Sequence, residues 1–185
     1  MSPERVNDLA WLLWVVSWFA AALWSERAVA RASGQLGYRV VTIAGAVLLF
    51  GARRLPLPLW TPAPTAAWIA DAAAAVGLLF TWWARLHLGT LWSSQVTRKA
   101  RHRVVDTGPY GIVRHPIYTG LTLATIATAL MRGTPQALAG AALMIAGYCM
   151  KARIEERFLR EELGAADYDA YARRVPMLVP FLHHG

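Results

Sequence analysis

Five apolar stretches, each followed by a polar or proline-rich connection, constrain this chain more than any other feature. They occupy residues 9–24, 40–52, 66–84, 117–131 and 136–150. A helix that crosses a bilayer needs about 20 apolar residues, within a range of roughly 17–25. The first and third stretches reach that length with a few flanking residues. The second, fourth and fifth are shorter and cross only if they tilt little or if flanking polar side chains snorkel to the headgroups. Composition agrees with a membrane setting. Hydrophobic residues make up 56% of the 185 and charged residues 16%, against about 45–50% and about 25% in soluble domains. Nine tryptophans favour a membrane–water interface. These features exclude a water-soluble globule and a disordered chain. Cys149, the one cysteine, excludes an internal disulfide and a cysteine metal cluster. Glu4 and Asp8 precede the first stretch and no basic leader does, which argues against a cleavable signal peptide.

The connections give topology and orientation. Residues 53–65 carry Pro56, Pro58, Pro62 and Pro64, a density that cannot continue a helix and reads as a stiff extended link. Arg132-Gly133-Thr134-Pro135 reads as the tight turn of a helical hairpin between stretches four and five. With five crossings, the 25–39 loop, the 85–116 loop and the tail from residue 151 share one side. That side holds 15 basic residues and the other holds Arg5, Arg53, Arg54 and Arg132. Positive-inside bias places the long loop and the tail in the cytoplasm. The fold expected is an all-α integral membrane protein of about five transmembrane helices, with a cytoplasmic C-terminal helix. It forms a single membrane domain over residues 1–185, with N-terminal helices in 1–84 and the chemistry in 85–185. Asp71, a lone acid near the outer end of the third stretch, reads as an interfacial or buried hydrogen-bonded residue.

Two polar blocks carry the candidate chemistry. In the first, Thr107-Gly108-Pro109-Tyr110-Gly111 is a turn cluster. Pro116 then opens the fourth stretch, where its missing N–H costs little. Arg114 and His115 therefore stand at a helix start on the membrane surface, either as headgroup anchors or beside a bound carboxylate or phosphate. The second block is Lys151-Ala152-Arg153-Ile154-Glu155-Glu156. Lys151 and Glu155 share a helical face, and solvated salt bridges account for the block taken alone. The hairpin changes that reading, because it makes the two blocks neighbours. Arg114, His115 and Tyr118 then face Lys151, Arg153, Glu155 and Glu156 in one mixed-charge aromatic pocket, suited to a zwitterionic, partly aromatic ligand. The histidines (His87, His102, His115, His183 and His184) form no His-x-x-x-His pair, so no metal is expected. The chain has no Gly-x-Gly-x-x-Gly, no Walker loop and no Gly-x-Ser-x-Gly elbow. Its basic residues hug apolar spans, which argues for anionic lipid rather than nucleic acid as their partner.

The run Gly-Pro-Tyr-Gly-Ile-Val-Arg-His-Pro-Ile-Tyr-Thr-Gly, from Gly108 to Gly120, is followed after the hairpin by Glu155-Glu156 and later by Arg174-Val175-Pro176. In order and spacing these motifs resemble the isoprenylcysteine carboxyl methyltransferase family, which is related to the membrane phospholipid N-methyltransferases. Leu88-Gly89 and Trp92-Ser93 fit as well, and the likeness covers roughly residues 85–181. The resemblance implies an integral membrane enzyme that uses S-adenosyl-L-methionine without a Rossmann domain, and the Ala/Arg-rich composition points to a bacterial inner membrane. By motif position it implies cofactor contacts from Gln95, His102, Val104, Val105, Tyr110, His115, Pro116, Ile117, Tyr118 and Glu155. It makes Arg114, His115 and Glu156 the catalytic candidates. Lys151 stands where the family has a substrate-facing arginine, so Lys151 and Arg153 are the substrate-binding candidates, with Arg114 a further replacement. The implied acceptor is a lipophilic small molecule or lipid, methylated on a carboxyl oxygen of an isoprenoid-type substrate. Phospholipid headgroup N-methylation and a non-enzymatic scaffold or transporter subunit are the alternatives.

Overall fold

The computed structural model describes residues 1–24, 30–31, 34–51, 58–89, 92, 97–98 and 105–182. Its helices are α1 (Pro3–Ala20), α2 (Leu36–Ala46), α3 (Pro64–Leu88), α4 (Pro116–Arg132), α5 (Pro135–Leu163) and α6 (Ala165–Arg174). A π-helical turn, Val47–Gly51, prolongs α2, and a 3₁₀ turn, Gly108–Gly111, precedes α4. Each of the five apolar stretches overlaps a helix, and a further helix, α6, follows α5. Two of them, α3 and the apolar part of α5, are long and apolar enough to cross a membrane unaided.

Local chemistry sets the helix boundaries. α1, α3, α4 and α5 all begin with proline in the first turn, where φ is already helical and no N–H is lost. α4 stops at Gly133, which adopts φ 61° and donates its N–H to the Ala129 carbonyl. Thr134 then caps α5 by accepting from the Ala137 N–H at 3.2 Å. This is the expected hairpin turn. It is braced from the 58–63 segment, where the Leu59 N–H donates to Gly133 O at 2.7 Å and Trp60 Nε1 to Leu130 O at 3.0 Å. A side chain at Gly133 would strike the Trp60 carbonyl.

Cross-helix contacts fix the directions. Gly77 and Thr81 of α3 meet Ala124 and Gly120 of α4 in reverse order, so these helices are antiparallel. Gly45 and Thr42 of the α2 segment likewise meet Gly140 and Gly147 of α5 in reverse order. Trp14 Nε1 donates to Thr81 Oγ1 at 2.6 Å, Trp11 Nε1 donates to Thr128 Oγ1 at 2.9 Å, and Trp18 meets Trp82. These contacts make α1 parallel to α3 and antiparallel to α4. Successive helices thus alternate up and down, and one end of the bundle gathers the start of α2, the end of α3 and the start of α4. A two-residue antiparallel bridge, Ala30–Arg31 with Thr97–Arg98, joins the α1–α2 and α3–α4 connections, in keeping with their expected placement on one side. At the opposite end Arg132 Nη2 bonds Asp8 Oδ1 at 2.7 Å and Arg132 Nη1 bonds the Leu49 carbonyl at 2.6 Å. Asp71 is buried there beside Asn7, as its second reading anticipated.

Two reciprocal glycine contacts carry the packing. A Cβ on Gly77 would lie 2.5 Å from Gly120 O, and one on Gly120 would strike Gly77 O. Cβ atoms on Gly45 and Gly140 would each lie 2.6 Å from the other residue's carbonyl oxygen. Large apolar side chains instead cover the outside, among them Leu12, Val16 and Phe19 of α1 and Ile69, Leu79 and Trp83 of α3.

The close crossings predict a sharp position dependence. Gly120→Val should lower stability in detergent by about 2–3 kcal/mol through overpacking. Gly51→Ala, whose added Cβ meets Val47 Cγ1 at an ordinary 3.7 Å, should cost little. Thermal unfolding of the two purified variants side by side checks this.

Candidate active site

Glu155 lies about 30 Å along α5 from Pro135 at 1.5 Å per residue, one thickness of bilayer hydrocarbon. The same helix therefore runs through the bundle and emerges with its two glutamates at the end where α4 begins. The cluster forms there. His115 is buried, with Nε2 3.1 Å from Glu156 Oε1 and Nδ1 3.5 Å from Glu155 Oε2. Tyr118 Oη donates to Glu155 Oε1 at 2.6 Å. Lys151 Nζ stands 4.0 Å from that same oxygen, over the rings of Tyr118 and Tyr38 at 5.4 and 5.6 Å. Arg114 Nε donates to Glu156 Oε1 at 2.7 Å.

The imidazole of His115 stacks on Tyr118 at 5.6 Å between centroids, and Tyr118 stacks on Tyr148 of α5 at 6.2 Å with the rings nearly parallel. Both imidazole nitrogens face carboxylates. Burial alone would disfavour the charged ring, but the hydrogen bonds and charges of Glu155 and Glu156 outweigh it and hold the His115 pKa above its ordinary value. Tyr110 is held far above the usual phenol range by burial first, then by the nearby Glu155 and Tyr171. No proton leaves Tyr110 near neutrality.

α6 and the segment after it close the cluster from outside the bundle. Arg114 Nη1 donates to the carbonyls of Ala172 and Val175 at 2.8 and 2.6 Å. The backbone N–H groups of Arg114 and His115 donate to Pro176 O and Met177 O at 2.8 and 3.1 Å, and Thr119 Oγ1 donates to Leu178 O at 2.6 Å. Tyr171 Oη donates to the Tyr110 carbonyl at 2.8 Å. The Arg114 and His115 amides, offered by the sequence to a ligand carboxylate, are thus taken up by the chain's own carbonyls. Arg114 doubles as the tether of α6.

Most candidate residues meet as expected. His115, Tyr118, Glu155, Glu156, Arg114 and Lys151 form one cluster. Tyr110 and Pro116 are buried beside it, and Ile117 packs on the apolar core. Val105 is half-buried ahead of the 3₁₀ turn. Arg153 is exposed, off the face shared by Lys151 and Glu155, and does not join the cluster. Gln95, His102 and Val104 lie outside the described residues. Sequence reasoning missed Tyr38 and Tyr148, and read Tyr171 only as part of an amphipathic cytoplasmic helix. Tyr148 was findable, since Tyr148, Lys151 and Glu155 recur at spacings of one and two helical turns. Tyr38 carries no local signal and arrives only through the packing of α2 on α5.

Two carboxylates, three tyrosine rings and a lysine suit a ligand with an ammonium, hydroxyls and a soft cation. Glu156 Oε2 has no hydrogen-bond partner among the described residues, so one acceptor stays open for a ligand's N–H or O–H.

Residues 65–166 match the family described as phospholipid methyltransferase. The protein-S-isoprenylcysteine O-methyltransferase B of Arabidopsis thaliana is 33% identical over 90 residues, 48% of this chain and 45% of that protein. The cobalt-zinc-cadmium resistance protein CzcN of Cupriavidus metallidurans is 30% identical over 145 residues, 77% of this chain and 61% of that protein. Methanethiol S-methyltransferase 2 of Bradyrhizobium diazoefficiens is 34% identical over 147 residues, 70% of this chain and 52% of that protein. The chain spans about half the length of these curated relatives.

The His115 geometry gives a pH signature. A raised folded-state pKa contributes stability that is fully present below the unfolded value, near 6.5, and is lost as pH rises through the folded one. The midpoint of thermal unfolding should therefore fall as pH climbs above about 6.5 in the native chain, and less so in His115→Gln. A pH series of unfolding curves for both proteins checks it.

Proposed function

The chain belongs to the phospholipid methyltransferase family, and from that premise we propose that it is an integral membrane methyltransferase that uses S-adenosyl-L-methionine to methylate a lipophilic acceptor. The acceptor group is a carboxylate on an isoprenoid-type substrate. One observation carries this reading: the Arg-His-Pro corner of α4 and the paired glutamates of α5 form a single buried cluster. The apolar outer faces of α1 and α3 and the bias of basic residues to one side support five crossings, with the cluster facing the cytoplasm of a bacterial inner membrane.

When bound, the cofactor supplies an electrophilic methyl group on a sulfonium. Glu155 and Glu156 would hold its ammonium and ribose hydroxyls, and the Tyr118 and Tyr148 rings would line it. His115 fixes both glutamates at once, and Tyr118 fixes Glu155 again. The acids are thus oriented before any ligand arrives, which lowers the cost of alignment. α6 and residues 175–178 exclude water from one side of the cluster. A carboxylate acceptor is already ionised and needs no base, so alignment and water exclusion suffice. Lys151, 4.0 Å from Glu155, supplies positive charge for such an acceptor.

Headgroup N-methylation is the second reading. It is favoured by Lys151, a point charge where a carboxylate-binding arginine would form two parallel bonds. An ammonium acceptor must first lose a proton. Glu156 or His115 would accept it.

Calorimetry with S-adenosylhomocysteine on the detergent-solubilised chain tests the class. Saturable binding is expected. Glu155→Gln, which keeps an acceptor for Tyr118 but loses the charge, should weaken that binding by about tenfold or more, equivalent to about 1.4 kcal/mol. No binding to the native chain sinks the enzyme reading and favours a scaffold or transporter subunit. Labelled cofactor incubated with membranes then separates the acceptors, since a carboxyl ester loses its label in base and a methylated amine does not.

A further inference from the structure

Arg85 ends α3 in a setting that the cluster does not explain. The residue is 4% exposed. Its guanidinium carbon lies 3.4 Å from the ring centroid of Trp92, 4.7 Å from that of Trp18 and 5.9 Å from that of Trp82. Trp18 packs edge-on against both other indoles, at 5.7 and 5.4 Å. Indole faces stabilise a guanidinium through its flat surfaces. They do nothing for the N–H groups around its rim, of which arginine has five. Arg85 Nη1 is buried with no hydrogen-bond partner, and no carboxylate is paired with this cation among the described residues. A buried charge without a counter-charge is among the costliest arrangements a protein can hold.

Its level in the bundle gives the cation a use. Thr81 of α3 touches Gly120 of α4. One turn further along α3 comes Arg85, and one turn back along antiparallel α4 comes Pro116. Arg85 therefore stands at the height of the Arg-His-Pro corner. Its neighbours Trp83 and Leu86 are exposed on the apolar outside of α3, so the tryptophan box adjoins the surface that lipid would cover.

We propose that Arg85, framed by Trp18, Trp82 and Trp92, receives an anionic oxygen, of a carboxylate or a phosphate, carried by the amphiphilic methyl acceptor; the acceptor part of this rests on the methyltransferase reading above. The box orients the guanidinium edge, and the lipid-facing side admits the apolar tail.

Tryptophan emission of the full chain in neutral maltoside detergent reads the site directly. Titrations with sodium laurate, dodecyl phosphate and inorganic phosphate, against added maltoside as the blank, separate the anion sources. A saturable change with laurate or dodecyl phosphate is expected, and which of the two binds more tightly identifies the acceptor's anion. In Arg85→Gln the affinity should drop by about tenfold or more, the loss of a hydrogen bond to a charged group, with Arg85→Lys in between. Affinity for S-adenosylhomocysteine should be unchanged in both variants, which also shows that they fold. Equal amphiphile affinity in native chain and Arg85→Gln overturns the proposal. So does inorganic phosphate binding as tightly as dodecyl phosphate. Selective loss of S-adenosylhomocysteine in Arg85→Gln overturns it too, because Arg85 would then serve the cofactor. If the native chain binds the amphiphile through Arg85 but binds no S-adenosylhomocysteine, the acceptor assignment falls while the anion site stands.

Discussion

Everything at the charged end of the bundle depends on two places where helix backbones touch. On the membrane reading proposed above, the hydrophobic effect supplies no net attraction between helices in hydrocarbon, so association falls to close packing. Gly77 against Gly120 and Gly45 against Gly140 give that packing, each glycine occupying the space a side chain would need on the other helix. Contacts this close also set register. The first crossing brings the end of α3 level with the start of α4. The second, continued by Gly147 beside Thr42, brings Tyr38 level with Lys151. Four helices thus deliver their polar ends to one height, although none of the four glycines lies within the charged cluster.

The cluster holds itself together by sharing. Glu156 Oε1 accepts from Arg114 and His115, and Glu155 Oε1 accepts from Tyr118 with Lys151 nearby. His115 is the common member, because one imidazole ring contacts both acids. Three basic groups against two carboxylates leave a positive excess when His115 is protonated. Such a balance suits a ligand that brings a carboxylate for the basic groups together with an ammonium for the acids. A zwitterionic amino acid moiety satisfies both conditions. The tether from Arg114 to the carbonyls of Ala172 and Val175 couples this balance to α6, so the covering segment and the acid pair cannot be repositioned independently.

How much of this was legible in the sequence follows the range of each signal. The five apolar runs, the proline that opens α4 and the Gly133 turn are local, and they gave the bundle helices and the hairpin, although α5 continues past its apolar run to Leu163. Joining the corner to the glutamates needed only one further step, since a tight turn leaves two antiparallel helices no choice of neighbour. Tyr38 and the tryptophan box were not legible. They depend on which faces α1 and α2 turn toward the later helices, and an apolar run in a membrane protein has little amphipathic pattern to reveal its inner face. Arg153 shows the converse. Two residues from Lys151 it read as part of the pocket, but that spacing turns a helix by about 200°, and it is exposed. Asp71 illustrates a residue for which the sequence left two readings, interfacial or buried and hydrogen-bonded, and only the fold, by bringing Asn7 beside it, selects the second.

Arg85 and the acid pair then divide the recognition problem. On the proposals above, the two ends of the reaction are held by opposite charges on different helices, with α4 in contact with both α3 and α5. A methyl donor that is cationic at sulfur and an acceptor that is anionic at its headgroup would attract each other in hydrocarbon too strongly to be sorted by shape alone. Separate counter-charges place each partner before they meet. If Arg85 takes the acceptor's anion, its framing by indoles is consistent with that use: an acidic partner would compete with the acceptor, whereas aromatic faces steady the cation and leave Nη1 without a partner among the described residues.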